Sequence, residues 1–288
     1  MSRLRSPKRK RSPKRKAARF LQYLALVGYL AFLSFPLLWM LSTSFKTPRE
    51  VVELHPSLIP RDPTLDNYTT AFTQQHLARA AWNSLQVSVG AAVLTVVIAL
   101  PAAYALARVR SKVNTVATAW ILLSQLFPFI LLVIPLFIIL KGAGLTNSLF
   151  GLVLVYVTWS LPFALWMLQG FVRGIPRELE EAAAMDGASK FQTLVRIVAP
   201  LLAPGVVAVT LFAFISSWNE FFFALVLLKR PELATLPLEL AKFVGIEGIA
   251  RLGPLAAGSL MATIPSLIFF AFLQRRLTSG GLAGAVKG

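Results

Sequence analysis

Residues 84–107 read SLQVSVGAAVLTVVIALPAAYALA and contain no charged side chain. A helix needs about 20 mostly apolar residues to cross the roughly 30 Å hydrocarbon core of a bilayer. The stretch is therefore long enough and apolar enough to span a membrane. Arg108, Arg110 and Lys112 follow it closely and end the apolar run.

Five further apolar stretches lie along the chain. The six predicted spans cover residues 20–41, 84–107, 113–140, 149–172, 205–228 and 255–274. Only 14% of the 288 residues are charged, whereas a soluble domain carries about 25%. The runs do not alternate between apolar and polar residues, which excludes a β-barrel. The sequence predicts an all-α integral membrane protein with six transmembrane helices.

Basic residues are distributed unevenly between the two sides of this predicted membrane protein. One side holds 20 of the 29 Lys and Arg residues. It comprises the N-terminal tail 1–19, the loop 108–112, the loop 173–204 and the C-terminal tail 275–288. Positively charged loops stay on the cytoplasmic side of a membrane. We therefore expect a multi-pass protein of a bacterial cytoplasmic (inner) membrane with both termini in the cytoplasm.

The N-terminal tail contains a tandem basic hexamer, RSPKRK, at residues 5–10 and again at 11–16. Such a tail, in a chain of net charge +17, could bind a nucleic acid. A basic segment next to a first membrane helix also gains roughly 1 kcal/mol per basic residue near anionic lipid. We favour the membrane surface, and expect no nucleic-acid partner.

The loop 173–204 is predicted to form two short helices around a glycine. Pro176 suits a helix N1 position, the acidic residues after it suit the first turns, and Gly187 suits a C′ stop. Ser189 and Gln192 have the spacing of a capping box for a second helix that Pro200 ends. The expected apolar face consists of Leu179, Ala182, Ala183 and Met185. This pattern fits equally a helix that docks on a soluble partner and a plain amphipathic surface helix.

Part of this loop resembles the EAA motif of ABC importer permeases. That motif reads Glu-Ala-Ala, three residues, Gly, nine residues and Ile-x-Leu-Pro. The chain matches it at Glu181, Ala182, Ala183, Gly187, Ile197 and Pro200, and departs from it once, with Ala199 in place of Leu.

Four other stretches resemble the carbohydrate-type, MalG-like branch of that family. They are Asn83-Ser84-Leu85, residues 102–108, Trp218-Asn219-Glu220 and residues 280–288. The resemblance implies a type I importer permease fold with a cytoplasmic coupling helix between membrane helices 4 and 5. It also implies that Glu181, Ala182, Ala183, Asp186, Gly187, Ile197 and Pro200 couple the chain to an ATPase.

The same resemblance implies the partners. They are a second homologous permease subunit, two ATPase subunits and an extracytoplasmic substrate-binding lipoprotein, together with membrane lipid. The chain contains no Gly-x-x-x-x-Gly-Lys-[Ser/Thr] phosphate loop. We therefore expect this subunit to be no enzyme and to bind no cofactor, with ATP and Mg²⁺ held by the ATPase subunits.

Glu220 is the one charged residue deep within a predicted span. A carboxylate at mid-bilayer costs about 2.5–3.5 kcal/mol on insertion scales, so it is expected to face the bundle interior. With Trp218 and Asn219 beside it, it could contact sugar hydroxyls along a substrate path. A structural hydrogen bond, or an ion pair to the partner permease, is the alternative. Other path candidates are Ser124, Gln125, Thr158 and Trp159, which could equally hold helices together.

These observations favour the permease subunit of a binding-protein-dependent, ATP-driven importer, with a sugar or related polyol as substrate. A proton-coupled secondary carrier that uses Glu220 as its relay is the alternative. A membrane enzyme or a metal site is not expected, because the chain has no cysteine and only two histidines, His55 and His76, outside the spans.

Overall fold

The computed structural model describes residues 13–74, 76–109, 111–245 and 251–281, with side chains except those of 13–18, 74 and 275–281. The predicted basic tail up to residue 12, Arg110 and the chain end from residue 282 lie outside the described residues.

The regular elements of this described part are helices. Five of them exceed fifteen residues: α1 (Pro13–Ser44), α4 (Leu77–Arg108), α7 (Leu149–Arg173), α11 (Ala203–Trp218) and α14 (Leu252–Gly281). The shorter helices are α2 (Pro48–Val51), α3 (Asp66–Gln74), α5 (Lys112–Ser124), α6 (Val133–Gly142), α8 (Glu178–Met185), α9 (Lys190–Thr193), α10 (Ala199–Leu201), α12 (Phe222–Leu227) and α13 (Leu236–Ala241). Residues Phe129–Leu132 and Pro231–Leu233 form 3₁₀ turns, and Leu194–Val198 forms a π-helical turn.

Within the described residues, four helices are long and apolar enough to cross a membrane. They are Arg19–Ser44, Leu77–Arg108, Leu149–Arg173 and Leu252–Gln274. Two bent pairs of helices bring the number to six if each pair is one span. The predicted fold class, an all-α integral membrane protein of the importer permease type, is confirmed.

Helices α4, α7 and α11 pack against one another and form the centre of the bundle. Fully buried alanines are among the residues at their centre: Ala91, Ala92, Ala99 and Ala103 of α4, Ala164 of α7 and Ala213 of α11. Small side chains let helix backbones approach closely, which matters in lipid because no hydrophobic effect drives the helices together. Helix α14 packs on α11 and on α3, and α1 packs chiefly on α14. In the described structure, no residue in the most apolar part of α1 is buried.

The third predicted span, 113–140, differs from a single straight helix. Helix α5 ends at Ser124, a 3₁₀ turn follows, and the two halves of the span meet at an angle of 98°. Pro128 lies at the bend with φ −61° and ψ 113°. It has no N–H to donate, and it disfavours helical geometry in the residue before it, so the chain leaves the helix there.

The fifth predicted span, 205–228, is also interrupted. Helix α11 ends at Trp218, and α12 begins at Phe222 after a break at residues 219–221. A second break lies before the span, where the helical run Lys190–Leu201 meets α11 at 79°. By contrast, prolines inside four long helices leave them continuous: Pro36, Pro101, Pro162 and Pro265.

The segment after α1 is folded around a buried lysine. Lys46 is 2% exposed, its ammonium lies 4.5 Å from the ring centroid of Trp39, and it donates to the carbonyl of Ser57. Glu50 accepts from the Ser57 hydroxyl at 2.8 Å and from the Arg61 amide at 3.0 Å. Burial raises the pKa of Glu50, but these hydrogen bonds and the charges of Lys46 and Arg61 outweigh it, so that the pKa lies below its ordinary value.

Asn83 and Ser84 at the start of the apolar part of α4 hold the segment before α13. The Asn83 amide donates to the carbonyls of Glu232 and Ala234 at 2.9 and 3.0 Å. The Ser84 hydroxyl accepts from the amide of Leu236 at 2.8 Å. These buried bonds satisfy backbone groups that otherwise have no partner, and they close this end of the bundle over α4.

Candidate functional site

The loop between α7 and α11 forms the two short helices that its sequence predicts. The αL conformation of Gly187, with φ +82°, ends α8. The amide of Gly187 donates to the carbonyl of Ala184, and the amide of Ala188 donates to that of Ala183, at 3.0 and 2.9 Å. This pair of bonds is the Schellman motif. The predicted role of Gly187 as the C′ residue is confirmed.

The second helical run begins with the predicted capping box. The Ser189 hydroxyl accepts from the amide of Gln192, and the Gln192 side chain accepts from the amide of Ser189. The run continues through the π-helical turn and ends at Leu201, one residue beyond Pro200. At the start of the loop the prediction was wrong: α8 begins at Glu178, so that Pro176 lies outside the helix rather than at N1.

Glu180 is the residue of α8 that joins this loop to the membrane bundle. Its carboxylate accepts from the Tyr104 hydroxyl at 2.8 Å and from Arg108 Nε at 2.7 Å. Arg108 Nη2 lies 2.6 Å from the same carboxylate and also donates to the carbonyl of Ile175 at 2.9 Å. The side chains of Arg108 and Glu180 are only 12% and 14% exposed. The pair therefore ties the end of α4 to α8 with little water around it.

The motif residues lie on two sides of the helix pair. Ala183 is buried, so it is not part of the exposed apolar face that the sequence predicted. Glu181, Ala182, Asp186 and Gly187 are exposed.

Buried apolar side chains pack the second helical run against the end of α7. Leu194 and Val198 are buried with Val172 and Leu202, Ile197 is half-buried, and Pro200 is exposed. On the outer side, Met185 and Phe191 are 89% and 73% exposed. The loop 173–204 is named the coupling loop after the motif it resembles. Its exposed residues Glu181, Ala182, Met185 and Phe191 are called the outer surface of the coupling loop.

Glu220 occupies the break between α11 and α12. Its carboxylate accepts from the amides of Phe223 and Ala224, at 3.0 and 3.3 Å, and from the Tyr156 hydroxyl at 2.7 Å. These amides are the first donors of α12 and would otherwise lack a partner. Glu220 therefore caps α12 and links it to α7 through hydrogen bonds within this chain.

An aromatic cluster joins the two helix breaks. The rings of Phe129 and Phe223 have centroids 4.5 Å apart, and those of Phe129 and Trp159 are 4.0 Å apart. Trp159 remains 43% exposed. Ser124, Gln125 and Thr158 are also exposed, and the hydroxyls of Ser124 and Thr158 donate to carbonyls of their own helices.

Trp218 and Asn219 belong to a different region. Trp218 is 4% exposed, and its ring is stacked on that of Phe214 with the ring centroids 5.6 Å apart. Asn219 is exposed, and its amide donates to the carbonyl of Ile215 at 2.9 Å. Both line a cavity of about 300 Å³, together with three hydroxyl residues of α14: Ser259, Thr263 and Ser266. The structure therefore does not bring the path candidates into one site.

Several polar side chains at these sites were not among the site residues predicted from the sequence. Ser259, Thr263 and Ser266 share one face of α14 through i, i+4 and i+7 spacing, a signal that was available. Tyr104 and Arg108 were noted only as part of a motif, and no local pattern connects them with Glu180, 72 positions from Arg108. Among the described residues, no group of three or more His, Asp and Glu side chains could share a metal ion.

The comparisons with known proteins agree with one another. Residues 95–279 match the family described as the binding-protein-dependent transport system inner membrane component. The chain is 58% identical to a putative ABC transporter permease protein, ORF1, of Streptomyces antibioticus over 80% of this chain and the whole of that protein. It is 41% identical to the diacetylchitobiose uptake system permease protein DasC of Streptomyces coelicolor, over 89% of this chain and 92% of DasC.

Two further matches extend this comparison. The trehalose transport system permease protein SugB of Mycobacterium tuberculosis is 38% identical, over 88% of this chain and 92% of SugB. The fold matches a crystal structure of a bacterial ABC transporter involved in the import of the acidic polysaccharide alginate. The TM-score is 0.78 at 23% identity, over 93% of this chain and 99% of that one.

The glutamates of α8 allow a matched test of the link to α4. Replacing Glu180 with glutamine leaves the guanidinium of Arg108 without its counter-charge in a poorly hydrated site. We expect a loss on the order of 3 kcal/mol in the free energy of unfolding, because breaking one partner of a buried pair is strongly destabilising. Thermal unfolding of the purified chain in detergent measures the effect.

Glu181→Gln is the control, because Glu181 is exposed and its side chain makes no hydrogen bond or ion pair with any residue that the structure describes. Equal melting temperatures for the two variants would contradict the assigned role of Glu180.

Proposed function

The chain belongs to the family of binding-protein-dependent transport system inner membrane components and is a permease subunit of an ABC importer, and from this premise we propose that it moves a sugar or related polyol. The names of its relatives support the substrate class, since DasC and SugB are permeases for diacetylchitobiose and trehalose. The observation that carries the mechanism is the rigidly held coupling loop with its exposed outer surface.

We propose that an ATPase subunit binds the outer surface of the coupling loop. Met185 and Phe191 offer apolar area for burial in a groove, and Glu181 adds a charge at the start of α8. The family's partner set then comprises a second permease and two ATPase subunits that hold ATP and Mg²⁺. On the other side of the membrane, an extracytoplasmic binding protein delivers the substrate. The alginate transporter has been solved with such a periplasmic protein in complex.

The link through Glu180 explains how movement of the loop reaches the membrane. A displacement of α8 pulls on Arg108 and Tyr104 at the end of α4, and α4 packs along α7 and α11. Nucleotide-driven closure of the ATPase subunits would thereby shift the bundle between inward- and outward-facing states. This mechanism places the coupling loop and both chain termini in the cytoplasm, in agreement with the distribution of basic residues.

Two separate regions of the structure carry polar or aromatic groups suited to a substrate path. The cavity beside Trp218 presents one amide and three hydroxyls from Asn219 and α14, groups that can exchange hydrogen bonds with sugar hydroxyls. The aromatic side chain of Trp159 and the amide of Gln125 lie beside the other helix break. We propose that both regions line the path in the assembled importer, while Glu220 shapes it by capping α12 rather than by binding sugar.

A proton-coupled carrier that uses Glu220 as its relay is the second candidate. A relay carboxylate must exchange protons with water on both sides. That of Glu220 already accepts hydrogen bonds from two amides and from a tyrosine hydroxyl. These bonds commit the carboxylate to holding α12 against α7. The geometry therefore favours the ATP-driven importer.

The energy source decides between these two functions. Proteoliposomes that contain this chain with its co-expressed partner subunits and binding protein are loaded with ATP, and uptake of radiolabelled disaccharide is measured. We expect uptake to survive a protonophore and to disappear when the ATPase partner carries an inactivating substitution in its phosphate loop. The opposite pattern would establish the proton-coupled carrier.

Gly187 provides a test of the coupling loop. A valine there must adopt φ near +82°, which costs about 1–2 kcal/mol for an L-residue and more for a β-branched one. A Cβ at this position meets no atom within 4 Å, so the effect comes from the backbone alone. We expect Gly187→Val to lower disaccharide uptake per ATP hydrolysed several-fold, with normal amounts of chain in the membrane.

Gly187→Asn is the matched variant, because asparagine tolerates the αL conformation. It is expected to retain most of the uptake. Normal coupling in the valine variant would count against the docking role of this loop.

Asn219 tests the path. Its side chain is exposed, so Asn219→Ala removes a polar group from the cavity without opening the core. We expect a rise of several-fold in the disaccharide concentration at half-maximal uptake, with little change in basal ATP hydrolysis. Gln86→Ala, an exposed amide on α4 outside the cavity, is the control. An unchanged concentration dependence in Asn219→Ala would remove this cavity from the path.

A further inference from the structure

A cavity of about 900 Å³ lies where α4 and α7 end and α5 begins. Among the described residues that line it, four are basic and none is acidic. The basic ones are Arg108, Lys112, Arg173 and Arg177. Ser111, Thr115 and Thr118 add hydroxyls from α5 and its N-cap. The lining is therefore suited to an anion, with both charge and hydrogen-bond donors.

Two of the four cations have no side-chain partner among the residues that the structure describes. Arg108 is paired with Glu180, and Arg177 donates to the carbonyl of Arg108 at 3.3 Å. Lys112 and Arg173 are exposed, and neither makes a side-chain hydrogen bond or ion pair with another residue in the part of the chain that the structure describes. Positive charges gathered around one cavity repel each other, and a bound anion relieves that repulsion.

A second cavity of about 830 Å³ shares Thr118, Leu122 and Arg173 with the first. The rest of its wall is mainly apolar and includes Trp166, Met167, Phe171, Ile175 and Leu201. Trp166 and Leu201 are 50% and 51% exposed. Trp166 lies seven residues before Arg173 on α7, and therefore about 10 Å further into the membrane. The two cavities thus form one groove with a basic end and an apolar end.

We propose that this groove binds an anionic phospholipid of the cytoplasmic leaflet, with phosphatidylglycerol as the representative headgroup. The lipid phosphate lies between Lys112 and Arg173, and one acyl chain runs along Trp166 and Leu122 into the second cavity. Basic pockets between membrane helices on the cytoplasmic side are suited to such headgroups. A free anion would use only the basic end. The proposal needs the membrane placement of the chain and its orientation, but not the identity of the transported substrate.

Lipid retained by the purified importer tests the proposal. The full-length chain, purified with its co-expressed partner subunits, is equilibrated with equal amounts of phosphatidylglycerol and phosphatidylcholine, and native mass spectrometry counts each lipid. We expect preferential retention of phosphatidylglycerol. The double variant Lys112→Gln/Arg173→Gln is expected to lower that retention roughly 10- to 30-fold, from a contribution of about three- to fivefold per basic residue near anionic lipid.

The control is Lys229→Gln/Arg230→Gln, which removes the same charge from two exposed residues outside both cavities. It is expected to retain phosphatidylglycerol like the parent protein. An equal loss in both double variants would mean that net charge alone attracts the lipid, and would overturn the site. Absence of retained phosphatidylglycerol in the parent importer would also overturn it, as expected if the second permease covers the groove.

Inorganic phosphate separates a lipid from a free anion. At the same concentration as the lipid, phosphate is expected to leave the phosphatidylglycerol in place, because phosphate lacks the acyl chain that contacts the apolar end. Complete displacement by phosphate would assign the basic cavity to a soluble anion and overturn the lipid proposal.

Discussion

The carboxylate of Glu180 is the contact on which the mechanical design of this permease depends. It gathers the guanidinium of Arg108 and the hydroxyl of Tyr104 at the end of α4, which is itself the helix most fully packed at the centre of the bundle. The helix pair of the coupling loop is otherwise held by apolar contacts of Leu194 and Val198, which can slide. A buried, multiply hydrogen-bonded ion pair resists sliding because any displacement exposes an unpaired charge. We therefore propose that a push on the loop is delivered to the core of the bundle as a directed movement.

Local features of the chain were predictable because their causes lie within a few residues. The glycine stop at Gly187 and the capping box of Ser189 and Gln192 depend only on neighbouring amides and carbonyls, and both occur as the sequence indicates. The apolar runs predicted the fold class for the same reason, since the bilayer imposes a length and a composition on each span. The resemblance to importer permeases that the sequence shows rests on a motif whose acidic residue, Glu181, is exposed. Its neighbour Glu180, which the motif does not include, makes the structural contact.

The breaks within spans could not be predicted from sequence, because their causes are not local. Pro128 ends a helix, whereas Pro36, Pro101, Pro162 and Pro265 sit within continuous helices. The second break, at residues 219–221, contains no proline, and there Glu220 accepts from the amides of Phe223 and Ala224 and from Tyr156, 64 positions away. A carboxylate read in sequence as a substrate group is, in the fold, a helix cap. Irregular backbone at membrane depth is tolerated only where protein or a watery cavity satisfies it.

The bonds of Asn83 and Ser84 have a consequence for biogenesis. They join α4 to carbonyls and an amide 149 to 152 positions later in the chain. During synthesis on the ribosome, the early helices enter the bilayer long before these acceptors exist. This end of the bundle therefore stays open until the segment before α13 has been synthesised, and its closure is a late step in folding. A chain truncated before residue 232 would lack these partners and leave the side chains of Asn83 and Ser84 without them.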